Sequence, residues 1–186
     1  MGLFCVRILY QTLAKNPVFL HDLPMGCYTV VMNEKITKKI GEAYAFAQVL
    51  ETTFTNNQAV LTELLGASAS TVLATTAEQK AALHAMCDAA GTTEILLPKV
   101  EKTAAKITNM GEMYVGDDWD DAAEVLEWLS FFVGGAVIHW QLIAGAGAAM
   151  DDEMLTDAAT SGVVYYEALL AQLKTAATQI GVERVG

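Results

Sequence analysis

The chain of 186 residues is long enough for one domain with its own core, and 53% hydrophobic against 18% charged residues excludes a disordered polymer. A net charge of −11 excludes the broad basic surface that nucleic acid or an anionic membrane would require. Cys5, Cys27 and Cys87 are odd in number and form no C-x-x-C pair, which argues against a disulfide framework and for a reducing, cytoplasmic setting.

Residues Met1 to Val31 read differently from the rest. They hold Arg7, Lys15 and one acid, Asp22, together with Pro17, Pro24 and two of the cysteines, and they show little helical period. Arg7 and Lys15 interrupt the apolar run that a secretory signal needs, and Val6 breaks the myristoylation pattern after Gly2. The segment is expected to be an arm outside the main domain or an upstream extension, with Met25 and Met32 as internal starts. The domain proper is expected over 32–186.

From Met32 onward good helix formers dominate, and four stripes predict an all-α antiparallel up-down four-helix bundle. Helix A reads from about Glu34 to Leu65, with Asn33 as N-cap and Ile36, Ile40, Ala43, Ala47, Leu50, Phe54, Asn57, Leu61 and Leu64 spaced by fours and threes, apolar at all but Asn57. Gly66 closes it. Helix B reads from about Thr76 to Met113, with a kink expected near Gly91 to Leu97 because Pro98 removes a backbone donor. Helix C reads from about Asp118 to Met150. Asp117, Asp118, Asp120 and Asp121 crowd its start, where the helix dipole favours negative charge. Helix D reads from about Asp152 to Ile180, closed by Gly181.

Within helix C, Leu129 to Met150 carries no formal charge and is long enough to span a bilayer. His139 and Gln141 sit in its middle and acids flank both ends, so the expectation is a helix buried on nearly all sides of the bundle, with membrane insertion as the minority reading. The lysines at 35, 38 and 39 and at 99, 102 and 106 lie at helical spacing and read as solvated faces.

Bundles build their sites from polar side chains on facing helices. Counting turns from the helix ends places His139 level with His84 or Cys87, with Asn57, and with Ser161 to Tyr165. His84 and Cys87 share a helix face, and with His139 and Glu51 they form a candidate nitrogen, sulfur and oxygen metal site for iron or another transition metal. The competing expectation is a satisfied polar layer with no cofactor, in which His139 bonds Asn57 or Tyr165 and Cys87 fills space. Glu124 and Glu127 near Trp128 read as an acidic first turn. No G-x-S-x-G, Walker loop, dinucleotide fingerprint or H-E-x-x-H occurs.

Two stretches, Ala77 to Thr108 and His139 to Ala176, resemble the second helix and the third-to-fourth helix turn of the ferritin-like superfamily. The resemblance implies a four-helix bundle with carboxylates on two helices and E-x-x-H on the other two, bridging two metal ions. The chain departs from that set: it has no E-x-x-H, Ala136 stands three before His139, and Leu170 stands three after Glu167, while Glu42 or Glu51 would serve on helix A. The sequence therefore points to a ferritin-like bundle working through self-association or protein binding, as a homodimer. A divergent metal protein or oxidoreductase is the second reading and a membrane-active helix the third.

Overall fold

A computed structural model describes residues 32–186; the expected N-terminal arm, 1–31, lies outside the described residues. The described chain is all-α: six helices and no strand, packed into one helical bundle. In chain order they are α1 (Glu34–Asn56), α2 (Gln58–Leu65), α3 (Ser68–Ala89), α4 (Thr93–Val115), α5 (Ala122–Ala149) and α6 (Glu153–Glu183).

The expected helix A is thus two pieces. Asn57 closes α1, with both its backbone N–H and its side-chain amide donating to the Thr53 carbonyl at 3.0 Å, and α2 restarts at once. Gly66, at φ 56°, ends α2, and the chain turns by 111° into α3. Residues 68–75, expected as part of a link, form the first two turns of α3.

Helix B is also two helices, and the break falls before Pro98. Gly91 adopts φ 67°; its N–H donates to the Asp88 carbonyl at 3.0 Å and the Thr92 N–H to the Cys87 carbonyl at 2.8 Å. This pair of bonds satisfies the last carbonyls of α3 and stops it, which glycine permits without a Cβ clash. Pro98 then sits inside α4 near its start, where the interruption has already been made.

Asn33 caps α1 as expected, and Asp121 and Asp152 cap α5 and α6 in the same way. Asn33 accepts from the Ile36 N–H at 3.0 Å, Asp121 from Ala123 at 2.7 Å and Asp152 from Leu155 at 3.0 Å. The acids at 117, 118 and 120 precede α5 rather than opening it, and α6 runs on to Glu183, past Gly181. Asp151, at φ 52°, makes the α5–α6 turn, and the Asp152 N–H donates back to the Gly147 carbonyl at 3.0 Å. That turn sets α5 and α6 antiparallel and in extensive contact.

The central helix is α1, which packs against α3, α4 and α5. Ile40, Gly41, Ala43, Ala45, Phe46, Ala47, Val49 and Leu50 are all buried, so nearly every side of its middle is covered. Small residues make this possible: a Cβ on Gly41 would stand 3.0 Å from Cγ of Lys99, so α4 lies directly against it. Helix α5, expected to be the most enclosed, is not. One face packs inward through Val125, Leu129, Phe132, Ala136, Trp140 and Ile143, whereas Phe131, Ile138 and Leu142 remain 74%, 61% and 50% exposed. Hydropathy without a polar stripe suggests burial, but among the described residues the helix has a neighbour on only part of its circumference.

Candidate functional site

The polar centre of the bundle forms where α1, α4 and α5 meet. Glu42 projects from α1 with 15% of its side chain exposed. Lys39, one turn earlier, places Nζ 2.6 Å from Oε2, and Lys99 of α4 places Nζ 2.5 Å from Oε1. His139 of α5 brings Nδ1 within 3.1 Å of Oε2, although the ring is not turned to direct a hydrogen bond at it. The imidazole instead packs on Phe46, ring centroids 4.9 Å apart, and Phe46 in turn meets Phe132 at 5.0 Å.

The charges decide the protonation states. Burial alone would raise the Glu42 pKa, but hydrogen bonds and charge from Lys39 and Lys99 outweigh it and hold the carboxylate below its ordinary value. Burial lowers the His139 pKa, and the two lysines add to that against the opposing pull of Glu42, so the imidazole is neutral at pH 7. One carboxylate shared by two ammonium groups is a locking device between helices. It offers neither an open metal position nor a nucleophile.

The residues proposed from sequence as metal ligands are distributed among different partners. Glu51 is ion-paired with Lys80 of α3. Cys87 is buried, with Sγ 3.9 Å from the Met32 sulfur, and burial raises its thiol pKa despite an opposing contribution from the Thr92 hydroxyl. His84 is half-buried on α3. His139 faces Glu42 and Phe46 rather than Asn57, whose amide bonds Thr53 within its own helix. Among the described residues no three of His, Cys, Asp and Glu are grouped so that they could hold one metal ion. The register estimate holds for α6, where Gly162 lies against Trp140 next to His139, and fails for α1, where Glu42 and Phe46 rather than Asn57 stand beside His139. Lys39 and Lys99 were read as solvated; the signal that could have found them is Gly41, which brings α4 against α1 next to Glu42.

A second polar feature lies between α5 and α6. Trp140 and Tyr166 are 2% and 0% exposed, with ring centroids 6.5 Å apart, and Tyr165 packs edge-on to Tyr166 at 5.0 Å. Among the described residues the indole N–H and both hydroxyls have no well-aligned hydrogen-bond partner, and burial pushes both phenols well above the usual tyrosine range, against a smaller opposing pull of the Trp140 N–H on Tyr166.

The outer face of α5 is the third feature. Phe131, Ile138 and Leu142 form one exposed stripe, and the Tyr114 ring of α4 extends it, 6.4 Å from that of Phe131. A shallow groove of about 460 Å³ beside it is lined by Tyr114, Leu126, Glu127, Ser130, Phe131 and Ala177. By length and composition, α5 is the one described helix apolar enough to cross a membrane on its own.

These features define an all-α helical bundle whose described residues hold no metal-ligand cluster and whose most conspicuous surface is apolar. No family model matches the chain, and no curated protein or solved structure matches it.

Proposed function

We propose that the protein is a ferritin-like up-down bundle that works by self-association, as a homodimer in the cytoplasm, with the outer face of α5 as its contact surface. In this reading α1 with α2, and α3 with α4, are two broken rods, and α5 and α6 are the unbroken ones. The single observation that carries the association reading is the exposed stripe of Phe131, Ile138 and Leu142, because large apolar side chains aligned along one helix face that no described residue covers mark a surface meant to be covered. The arrangement at Glu42 and Glu51 supports it from the other side. Both carboxylates are paired with lysines, which leaves an iron or other transition-metal site short of ligands.

The test is the mass in solution of the wild type and of Ile138→Lys, by light scattering at tens of micromolar. Ile138 is 61% exposed, so the lysine costs the single chain little. A dimer that becomes a monomer on substitution supports the reading; a wild type that stays monomeric overturns it. A membrane-active α5 is the second reading, favoured by its mean hydropathy of 1.5 over the most apolar window. It predicts leakage from phosphatidylcholine vesicles that Ile138→Lys abolishes.

A further inference from the structure

We infer that the partner on this face is a second copy of the chain, packed antiparallel across a two-fold axis at Ile138, with Phe131 of each copy seated over Gly145 of the other and Leu142 over Gly134. The inference rests on the association reading above and specifies its geometry.

The argument begins with spacing. Phe131, Gly134, Ile138, Leu142 and Gly145 follow one another at three, four, four and three residues, so the stripe reads the same in both directions about Ile138. It spans about 21 Å at 1.5 Å per residue. Turning the helix end over end therefore brings position 131 onto 145, 134 onto 142, and 138 onto itself. In each crossed pair the large side chain meets a glycine. A two-fold contact requires this self-complementarity, because each surface element must fit its own counterpart.

The glycines are vacant on the single chain. A Cβ built on Gly134 or on Gly145 meets nothing within 4 Å, whereas the inward Gly147 and Gly162 are tightly covered, by Thr156 and Trp140. Glycine in a helix interior costs about 1 kcal/mol relative to alanine, and among the described residues no contact at these two positions explains that cost. A knob from outside does. Parallel packing would set Phe131 on Phe131 and leave glycine opposite glycine, a bulge beside two voids.

Area and charge agree. Phe131, Ile138, Leu142 and Tyr114 are 74%, 61%, 50% and 46% exposed. At roughly 200 Å² for a fully exposed large side chain, they offer about 460 Å² per copy and about 920 Å² in a pair. That lies just under the roughly 1,000 Å² of a stable specific contact and fits a dimer in exchange with its monomer. Over 129–150 the helix has no charge to bury at the contact.

The test is a swap of knob and hole in the full chain. Phe131→Ala and Gly145→Phe alter positions that are exposed in the single copy, so helicity by circular dichroism stays unchanged. Each single variant is expected to weaken dimerisation at least tenfold in sedimentation equilibrium, the first by emptying a socket and the second by filling one. The double variant F131A/G145F exchanges knob and hole and is expected to return within about threefold of wild type. A wild-type dimer that G145F leaves intact, or a double variant no better than its parents, overturns this packing while leaving self-association standing. A wild type that is monomeric, or that only partitions into phosphatidylcholine vesicles, overturns both.

Discussion

Gly162 of α6 lies against the indole of Trp140 of α5 so closely that a Cβ on it would stand 2.3 Å from Cδ2 of the ring. The antiparallel pair is therefore locked at one point by a missing side chain. Gly162→Ala is expected to push α5 and α6 apart and to cost about 1–3 kcal/mol in urea unfolding. Gly181→Ala, on the same helix with nothing within 4 Å of the new Cβ, is expected to stabilise by up to about 1 kcal/mol through helix propensity. Equal effects at the two sites would contradict the packing described.

Glu42 joins three helices through Lys39, Lys99 and His139. Glu42→Ala leaves Lys99 half-buried without its counter-charge, and a cost of about 1–3 kcal/mol is expected. Glu34→Ala, which removes an exposed pair with Lys38, is expected to leave stability nearly unchanged. Chemical denaturation of both variants compares the two.

The sequence made the helical class legible, and with it the cap at Asn33 and the start of the last helix near Asp152, because periodicity and capping are local. The interruption at Gly91 falls within the expected range of Gly91 to Leu97, but it is a full stop made by the glycine and not a bend caused by Pro98. The centrality of α1 could not be read from Ala43, Ala45 and Ala47. Alanine scores as weakly apolar, yet it is the small side chain that lets helices close in from several directions. The open face of α5 was hidden by the converse effect: an uninterrupted apolar helix looks enclosed whether or not a neighbour covers it. The Glu42 cluster was out of reach because it depends on which turn of α1 faces α4 and α5, and the breaks in the first two rods shift that level.

Acid is expected to unfold the bundle in two overlapping steps. The folded His139 pKa lies below its ordinary 6.5, so the unfolded chain takes up the proton first, and stability is lost as pH falls from about 6.5 through the folded value. Glu42, depressed below 4.5, contributes stability that is present above that value and lost as pH falls through its folded pKa. Urea midpoints between pH 8 and pH 4 are expected to decline on this schedule. His139→Gln is expected to flatten the upper part and leave the lower part. A wild type whose midpoint rises on acidification from pH 7 to pH 5.5 would contradict the assignment.

The Tyr166 hydroxyl is fully buried, and the Trp140 indole N–H beside it lies off the direction of a good hydrogen bond, so the oxygen gains little in return for its desolvation. Tyr166→Phe keeps the ring that packs on Trp140 and removes only the oxygen. It is expected to be neutral or to stabilise by about 1 kcal/mol, where losing a bonded hydroxyl would destabilise by a similar amount. Thermal unfolding decides the sign, and a clear loss would show that the hydroxyl is bonded.

Salt separates this interface from one held by ion pairs. Antiparallel packing about Ile138 brings Glu124 and Glu127 at the start of one α5 toward Asp151, Asp152 and Glu153 just beyond the end of the other, acid facing acid at both ends of an uncharged stripe. Exposed charges of this kind are screened over about 8–10 Å at 0.1–0.15 M salt. Raising sodium chloride from 20 mM to 300 mM is therefore expected to tighten the dimer several-fold in sedimentation equilibrium, since the repulsion is screened and the apolar contact is not. Glu127→Gln, which removes one such charge from each copy, is expected to tighten it at low salt and to reduce the salt response. A dimer that weakens as salt rises would have to be held by opposite charges instead, and the stripe on α5 would not be its seam.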